Sequence, residues 1–481
     1  MFIGREAELK FLKERYNSDK GELVVLYGRR RVGKTETLKQ FCKGKPHLFF
    51  SCRECTDKLQ LKNFSEKLLK ENIPASAYIS EFADWDKAFR SITELPYGDK
   101  KKLVVIDEFP YMCKGNKSIP SILQNLWDEL LKDENVMLIL CGSAMIFIEK
   151  ELLAEKNPLY GRATGIYKMT EMGFYDAAKF FPNYSAKDKV IAYSILGGIP
   201  HYLNQFDSDK SLEENIKKNI LSKGSALYSE VEFLLRQELR ETPVYNSIIE
   251  AVALGNTKLN EISMKSLIDD TSKTSVYLKN LIELGIVERE FSVSESVKEK
   301  ANTNKGLYRI TDNFFRFWYA FVFTNISELE GGDVDGVYRY SIEPQLHEFA
   351  AMPFEDICRE YVRELQKVGE LPFRYAKMGR WWGRTTVRRG EQTELADTEI
   401  DLLAVSKQSD KYLVGECKFK GKPFRYSEYL DTITKLSDRK DKAEFWYYLF
   451  SESGFDEKIV EPARSDSRLV LCGLDEIVGY K

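Results

Sequence analysis

From Gly21 to Cys141, short apolar runs alternate with longer stretches in which apolar residues recur at helical spacing. The runs are Leu23–Tyr27, His47–Ser51, Leu103–Ile106 and Val136–Cys141. Continuous runs rich in β-branched residues, separated by helical patterns, predict a parallel sheet covered on both faces. Residues 170–240 read as helical, with Gly197, Gly198 and Pro200 interrupting the pattern. The character changes over 243–312: three short helical segments, a polar stretch, then a strand-like Gly306–Thr311. Phe314–Phe323 is an aromatic-rich helix or core segment, and Gly331, Gly332 and Gly336 mark a linker. From Glu348 a helix leads into short strands. The pattern predicts an α/β chain with boundaries at 1–240, 241–312, 313–345 and 346–481. The first part is a sheet domain with a helical lid, and 313–345 is a connecting segment.

Composition narrows the function classes. The chain has 481 residues, 43% of them hydrophobic, enough for each domain to bury a core. Charged residues make up 31%, yet the net charge is only -3, so any nucleic-acid site has to be a local patch. The longest apolar stretch, Val136 to Ile148, is shorter than the roughly 18 residues of a membrane span. Arg5 places a charge too early for a secretory signal. The eight cysteines lie mostly in apolar runs and read as reduced core residues. Cys52 and Cys55 form a lone CxxC without the second ligand pair that a zinc site needs. The expectation is a soluble, cytoplasmic protein with no membrane association.

Chemistry enters at Gly28-Arg29-Arg30-Arg31-Val32-Gly33-Lys34-Thr35, which satisfies G-x-x-x-x-G-K-[ST] at every fixed position. A strand pattern precedes it and a helical pattern follows. Glycines let backbone N–H groups turn toward phosphates, and the helix N-terminus, with Glu36 in its first turn, adds partial positive charge. Lys34 is expected to reach the β- and γ-phosphates of ATP, and Thr35 to hold magnesium. Lys101–Ile106 then ends in Asp107-Glu108, two acids at the carboxyl edge of a buried strand. Asp107 would orient the magnesium shell, and Glu108 would polarise the attacking water. Ser143, after the Val136–Cys141 run, places a hydroxyl where it can touch the γ-phosphate or the water.

These motifs, with Phe2–Leu9 (FIGREAEL), Val104–Phe109 (VVIDEF), Leu140–Ala144 (LCGSA) and Leu159–Met169 (LYGRATGIYKM), resemble the archaeal-type ATPase family of the AAA+/STAND branch. The resemblance covers residues 1 to about 240. It implies that Phe2, Gly4 and Arg5 lie near the adenine, and that Gly197-Gly198-Ile199-Pro200 belongs to a lid. It also implies that Arg162 is a γ-phosphate sensor or finger. Spacing alone leaves Arg162 equally suited to a structural pairing with an acid. A finger acts within its own subunit or on a neighbour, so oligomerisation stays open.

Residues 241–312 read as a winged helix. Pro243–Leu254 is the first helix, a second starts at Lys258, and Ser272–Leu284 is the third, with Val276, Leu278, Leu281, Ile282 and Leu284 as its apolar positions. Gly285 stops it, and Ile286–Phe291 and Gly306–Thr311 are the wing strands. Lys273, Thr274, Ser275, Tyr277, Lys279 and Asn280 are the candidate DNA contacts. Asp269, Asp270 and Glu283 lie close by, so a spacer or lid role is the equal alternative.

Near the C-terminus, Glu399–Val405 and Lys411–Phe419 read as two strands joined by a turn at Ser406–Asp410. Antiparallel pairing that centres between Gln408 and Ser409 sets Asp401 opposite Glu416, and Glu416 and Lys418 share one face. Two acids and a lysine so placed could hold magnesium for phosphodiester hydrolysis, with Asp401 and Glu416 as ligands. The pattern resembles the PD-(D/E)XK nuclease superfamily, in the form that accompanies archaeal-type ATPase domains, over roughly residues 340–481. It implies catalytic roles for Glu355, Asp401, Glu416 and Lys418, and Arg380-Trp381-Trp382-Gly383 also fits it. Ile400 departs from the nominal proline.

Arg374, Lys377, Arg380, Arg384, Arg388 and Arg389 flank Trp381 and Trp382, a composition suited to phosphates and bases of DNA. A solvated loop with its tryptophans in the core, neutralised by the acids of 391–399, is the alternative. The reading is an ATP- and magnesium-dependent P-loop ATPase coupled to a DNA-binding module that cuts. The rival is a regulatory ATPase whose C-terminal domains bind DNA or protein without cleavage.

Overall fold

The computed structural model describes residues 2–295, 300, 306–389, 392–436 and 443–480, with side chains at 386–394 outside the description. It divides into two compact units, Met1–Met172 with Ile199–His201, and Gly173–Gly198 with Tyr202–Lys481.

The first unit is a five-stranded parallel sheet with helices between its strands. Its strands are β1 (Glu22–Gly28), β2 (His47–Ser51), β3 (Lys102–Asp107), β4 (Val136–Gly142) and β5 (Gly165–Met169), in the order β2-β3-β4-β1-β5. Every residue of β1 and β4 is buried, as continuous apolar runs in a two-sided sheet require. β5 is an edge strand with an exposed centre, and no apolar run marks it. All parallel strands point one way, so Gly28, Asp107, Gly142 and Met169 end at one edge. Ligands of open α/β sheets gather at that carboxyl edge. Residues 173–198 and 202–240, read from sequence as a lid of the first domain, pack with the second unit instead.

In the second unit, helices Thr242–Ala253, Leu259–Lys265 and Thr271–Glu283 precede an antiparallel pair, β6 (Val287–Glu290) and β7 (Leu307–Ile310). The segment expected as a linker is helical, and it buries Phe314, Phe315, Phe317, Trp318 and Tyr319. Gly331 and Gly332 only turn the chain between short helices. A 23-residue helix, Leu346–Val368, leads into the C-terminal sheet. That sheet is mixed, with strands β8 (Tyr375–Arg389), β9 (Gln392–Ser406), β10 (Lys411–Lys418), β11 (Glu444–Ser451) and β12 (Leu469–Gly473) side by side. The β8–β9 and β9–β10 pairs are antiparallel, and β10, β11 and β12 run parallel. The strands β8 and β9 are 15 residues each, where the pattern suggested short ones and an arginine-rich loop.

All eight cysteines are free thiols, and seven are buried. Among the described residues no helix is long and apolar enough to cross a membrane.

Candidate functional site

The first site grows out of the end of β1. A Cβ on Gly28 would stand 2.2 Å from the Met169 carbonyl oxygen, so only glycine lets β5 approach here. The loop then turns through positive φ at Arg31 (68°) and Gly33 (95°) before the helix Lys34–Cys42 begins. A loop of this kind directs successive N–H groups toward an anion. Lys34 is buried, and its Nζ donates to the carbonyls of Gly28 (2.9 Å) and Arg29 (3.0 Å). Burial lowers its pKa, opposed by the charges of Cys141, Glu108 and Asp107. The Glu36 side chain points away to Lys39 at 2.8 Å, so its share in anion binding falls to its backbone.

Thr35 Oγ1 donates to Asp107 Oδ2 at 2.8 Å, which ties the phosphate loop to the end of β3. Asp107 is buried, and its Oδ1 accepts the Glu108 amide at 3.0 Å. Glu108 takes a left-handed backbone, φ 52°, which swings its carboxylate across to β4. There Ser143 Oγ lies 2.9 Å from both carboxylate oxygens, and the Ser143 amide donates at 3.3 Å. Thr35, Asp107, Glu108 and Ser143 thus stand together at one sheet edge.

Arg5 stands beside the phosphate loop. Its backbone is left-handed (φ 69°) and its guanidinium is buried. It donates to the carbonyls of Val32 (2.6 Å) and Thr170 (2.9 Å) and to Glu8 (2.8 Å). It is a clasp between the phosphate loop and the end of β5. Beside it Gly4 also has positive φ and Phe2 is half-buried. Arg162 makes its contacts with Asp128 (2.6 Å) and the Pro158 carbonyl (2.8 Å), the pairing that spacing left open. Pro200 lies 3.7 Å from where a Gly33 Cβ would be, so the Ile199–His201 segment covers the phosphate loop. Burial and the neighbouring Arg31 lower the pKa of His201. The sequence offered no signal for that last contact.

The second site lies in the mixed sheet. The β9–β10 ladder runs Tyr412↔Val405 to Gly415↔Leu402, and Asp401 follows, its Oδ2 accepting the Cys417 amide at 2.9 Å. Glu416 is buried between two lysines, Lys418 at 2.8 Å and Lys435 at 2.6 Å. Glu355, from the Leu346–Val368 helix, completes the group. Its Oε2 is buried without a hydrogen bond, with Arg359 at 3.5 Å and Arg380 at 3.6 Å. Burial pushes the Glu355 carboxyl up to about 8, and the charge of Asp401 adds to the effect. Asp401 rises to about 6 through burial and the charge of Glu416. Arg359 pins the cluster, donating to the Asp401 carbonyl (2.6 Å) and to Asp356 (2.6 Å). Arg359 was legible as the residue four after Glu355 on a helix; Lys435 carried no signal. Ile400 is buried in the sheet's core.

Two groups of expected contacts are rearranged. Of the third-helix candidates, Thr274 is buried on Ser263, Tyr277 bonds Glu241, and Asn280 bonds Tyr245. Lys273, Ser275 and Lys279 are left on the exposed side with Val276, which was expected inside. Leu278 and Leu281 are buried one and two helical turns from Thr274, and Val276 falls on the opposite face. The arginine-rich run is strand β8, and its partners are the acids of β9. Arg380 bonds Glu399 and Glu290 (3.1 Å), and Arg384 bonds Asp397 (3.1 Å). Trp381 is in the core, while Arg374 and Lys377 are exposed. The side chains of Arg388 and Arg389 lie outside the described residues.

Among the described residues, no group of three or more His, Cys, Asp or Glu side chains is arranged to hold a metal ion. A P-loop magnesium site needs only one or two protein ligands besides phosphate and water, and Thr35 with Asp107 fits that.

Two regions of the chain match family models. Residues 2–206 match a family model described as an ATPase domain predominantly from Archaea. Residues 318–430 match one described as archaeal and bacterial proteins of unknown function. The chain is 35% identical over 420 residues to an uncharacterized protein of Methanocaldococcus jannaschii, covering 87% of this chain and 88% of that one. An uncharacterized ATP-binding protein of the same organism is 51% identical over 45 residues, 9% of this chain and 76% of that protein. Among solved structures, the Walker-type ATPase of Pyrococcus abyssi aligns with a TM-score of 0.48 at 21% identity, over 66% of this chain and 96% of that one. The chain belongs to the archaeal-type ATPase family and carries, behind its ATPase domain, a C-terminal domain of unknown function.

Proposed function

We propose that the chain is a magnesium-dependent ATP hydrolase whose second unit binds and cleaves nucleic acid. The carrying observation is the convergence of Lys34, the Thr35–Asp107 bond and the Glu108–Ser143 pair at one sheet edge. Lys34 exchanges its loop carbonyls for the β- and γ-phosphates. Thr35 and Asp107 would hold magnesium, which would neutralise charge on the phosphates. Glu108, once released by Ser143, accepts the proton of the attacking water.

In the second unit, Glu355, Asp401, Glu416 and Lys418 are the cleavage residues of this reading. Glu355 Oε2, without a hydrogen bond among the described residues, and the raised pKa values of the buried acids suit a cation. Asp401 and Glu416 would hold it, and it would neutralise charge at the scissile phosphate. The three-helix segment with its β6–β7 pair acts as a winged helix. A second reading, a regulatory ATPase that binds without cutting, is favoured by one observation: two lysines already occupy both oxygens of Glu416.

The deciding experiment incubates single-stranded, duplex and branched DNA, and RNA, with magnesium, with and without ATP, beside Glu416→Ala. Cleavage lost in the variant supports the nuclease. Absence of cleavage on every substrate transfers the proposal to the regulatory reading.

A further inference from the structure

The pair Cys52-Arg53-Glu54-Cys55 serves neither site described above, and it lies in the first unit where β2 ends. Cys52 N donates to the Asp107 carbonyl at 2.8 Å, one step beyond the Ser51↔Asp107 pairing of β2 with β3. The chain then bends round one buried side chain, Gln60 of the helix Asp57–Leu69. Gln60 Oε1 accepts the Arg53 amide (3.3 Å) and the Cys55 thiol (3.2 Å). The same side-chain amide lies against the Cys52 thiol. Two sulfurs on one amide group are near neighbours, and a disulfide needs their Cα atoms within about 7 Å.

The two thiols differ in a way that suits a two-step oxidation. Cys55 is the one cysteine of the eight that is not buried, so a small oxidant reaches its sulfur. Cys52 is buried. Burial and the charges of Cys113 and Asp107 raise the Cys52 thiol, and the Gln60 amide opposes that rise. Gln60 Nε2 is buried with no hydrogen bond among the described residues, a spare donor beside a sulfur. Cys113 is a third buried thiol near Cys52, yet among the described residues no three such groups are arranged to hold a metal ion.

The loop is also tied to the ATP site. Lys114, on the helix Phe109–Gly115 that follows Asp107-Glu108, pairs with Glu54. A Cβ on Gly115 would stand 3.5 Å from the Cys55 carbonyl oxygen, so this helix packs on the loop. Drawing Cys52 toward Cys55 pulls on the amide that holds Asp107, whose Oδ2 accepts the Thr35 hydroxyl.

We propose that Cys52 and Cys55 are a redox-active dithiol, oxidised by a peroxide to a disulfide that slows ATP turnover by displacing Asp107. The Cys55 thiolate attacks one peroxide oxygen and the O–O bond breaks. This gives a sulfenic acid and a hydroxide, which takes up the proton that Cys55 released. The Cys52 sulfur then displaces the hydroxyl from Cys55, and its own proton leaves with that hydroxyl as a second water. The two sulfurs together give up two electrons to the peroxide, and an external dithiol returns them. The effect on turnover rests on the ATPase reading; the disulfide does not.

The test treats the reduced full chain with hydrogen peroxide, blocks the remaining thiols with iodoacetamide and maps the peptides by mass. Magnesium-dependent phosphate release from ATP is followed in the same samples, before and after dithiothreitol. Wild type is run beside Cys55→Ser and Cys113→Ala. The expected result is a disulfide between Cys52 and Cys55, with turnover falling at least about tenfold in wild type and in Cys113→Ala. Dithiothreitol should restore it, and Cys55→Ser should lose less than about twofold. A disulfide to Cys113, or none at all while Cys55 goes on to sulfinic acid, overturns the dithiol and leaves the ATPase reading standing. The Cys52–Cys55 disulfide with unchanged turnover overturns the control through Asp107, as does equal inhibition of Cys55→Ser. A reduced chain without turnover removes the ATPase reading, while the mapped disulfide still upholds the dithiol.

Discussion

At the edge of the parallel sheet, every charged group has a partner that a nucleotide can replace or extend. Lys34 rests on loop carbonyls, Thr35 on Asp107, and Glu108 on Ser143. In the mixed sheet, Glu355 and Asp401 repel each other in a buried space, and one carboxylate oxygen has no hydrogen bond at all. The first site joins one contiguous loop to the ends of β3 and β4, and its side chains satisfy one another. The second is assembled from side chains of a helix and two strands. Its unfavourable electrostatics are relieved by a proton, a lysine or a cation. The difference teaches that occupancy should change the chemistry of the first site and the stability of the second.

The strongest way to break this contrast is Lys34→Ala. It removes the one cation buried in the loop, and phosphate release from ATP should fall by more than about 100-fold. The unfolding midpoint should barely move, because the lysine bonds only loop carbonyls. Unchanged turnover would sink the assignment of the loop. Next comes Glu108→Gln, which keeps the contact with Ser143 and loses the base. ATP binding should persist while turnover drops by about 100-fold. Equal losses of binding and turnover would mean that Glu108 serves the loop's structure and not the water.

The second site is sharpened by pH. The Glu355 carboxyl rises from its ordinary 4.5 to about 8, so the folded chain keeps a proton that the unfolded chain has already lost. Its contribution to stability is complete below about 4.5 and disappears as the pH climbs to about 8. Urea midpoints should therefore fall across that window in wild type and stay flatter in Glu355→Gln. Magnesium added at the alkaline end should restore the wild-type midpoint if the acids hold a cation. No response to magnesium would favour the reading without cleavage.

The same difference decides what the sequence made legible. β1, β3 and β4 announced themselves as apolar runs because they are buried on both faces; β2 is an edge strand that keeps an apolar run, and β5, at the other edge, escaped because its centre is exposed. The phosphate loop was legible because its chemistry is local, eight consecutive residues with fixed glycines. The β9–β10 register was legible, as far as Gly415↔Leu402, because a hairpin's register follows from its turn. Lys435 lies seventeen residues past Lys418, and nothing in spacing points it at Glu416. The arginine-rich run left two outcomes open, and two of its arginines pair with the acids of 391–399, as the second outcome has it. A strand's neighbours across the sheet decide whether its charges are free, and Asp397 and Glu399 become its partners only after folding.

Arg162 is where the comparison predicts the smallest effect. It stands in the ATPase unit, but its bonds to Asp128 and to the Pro158 carbonyl keep it in a surface pairing, unlike the buried clasp that Arg5 forms on Val32. An exposed pair is screened and easily exchanged with water. Arg162→Ala should therefore change the turnover of the dilute protein by less than about threefold and leave nucleotide affinity untouched. Measuring turnover across a range of protein concentrations makes the test two-sided. A loss of 100-fold or more that appears only at high concentration would show Asp128 releasing the arginine to a neighbouring subunit's nucleotide. A loss of that size at every concentration would return it to its own γ-phosphate.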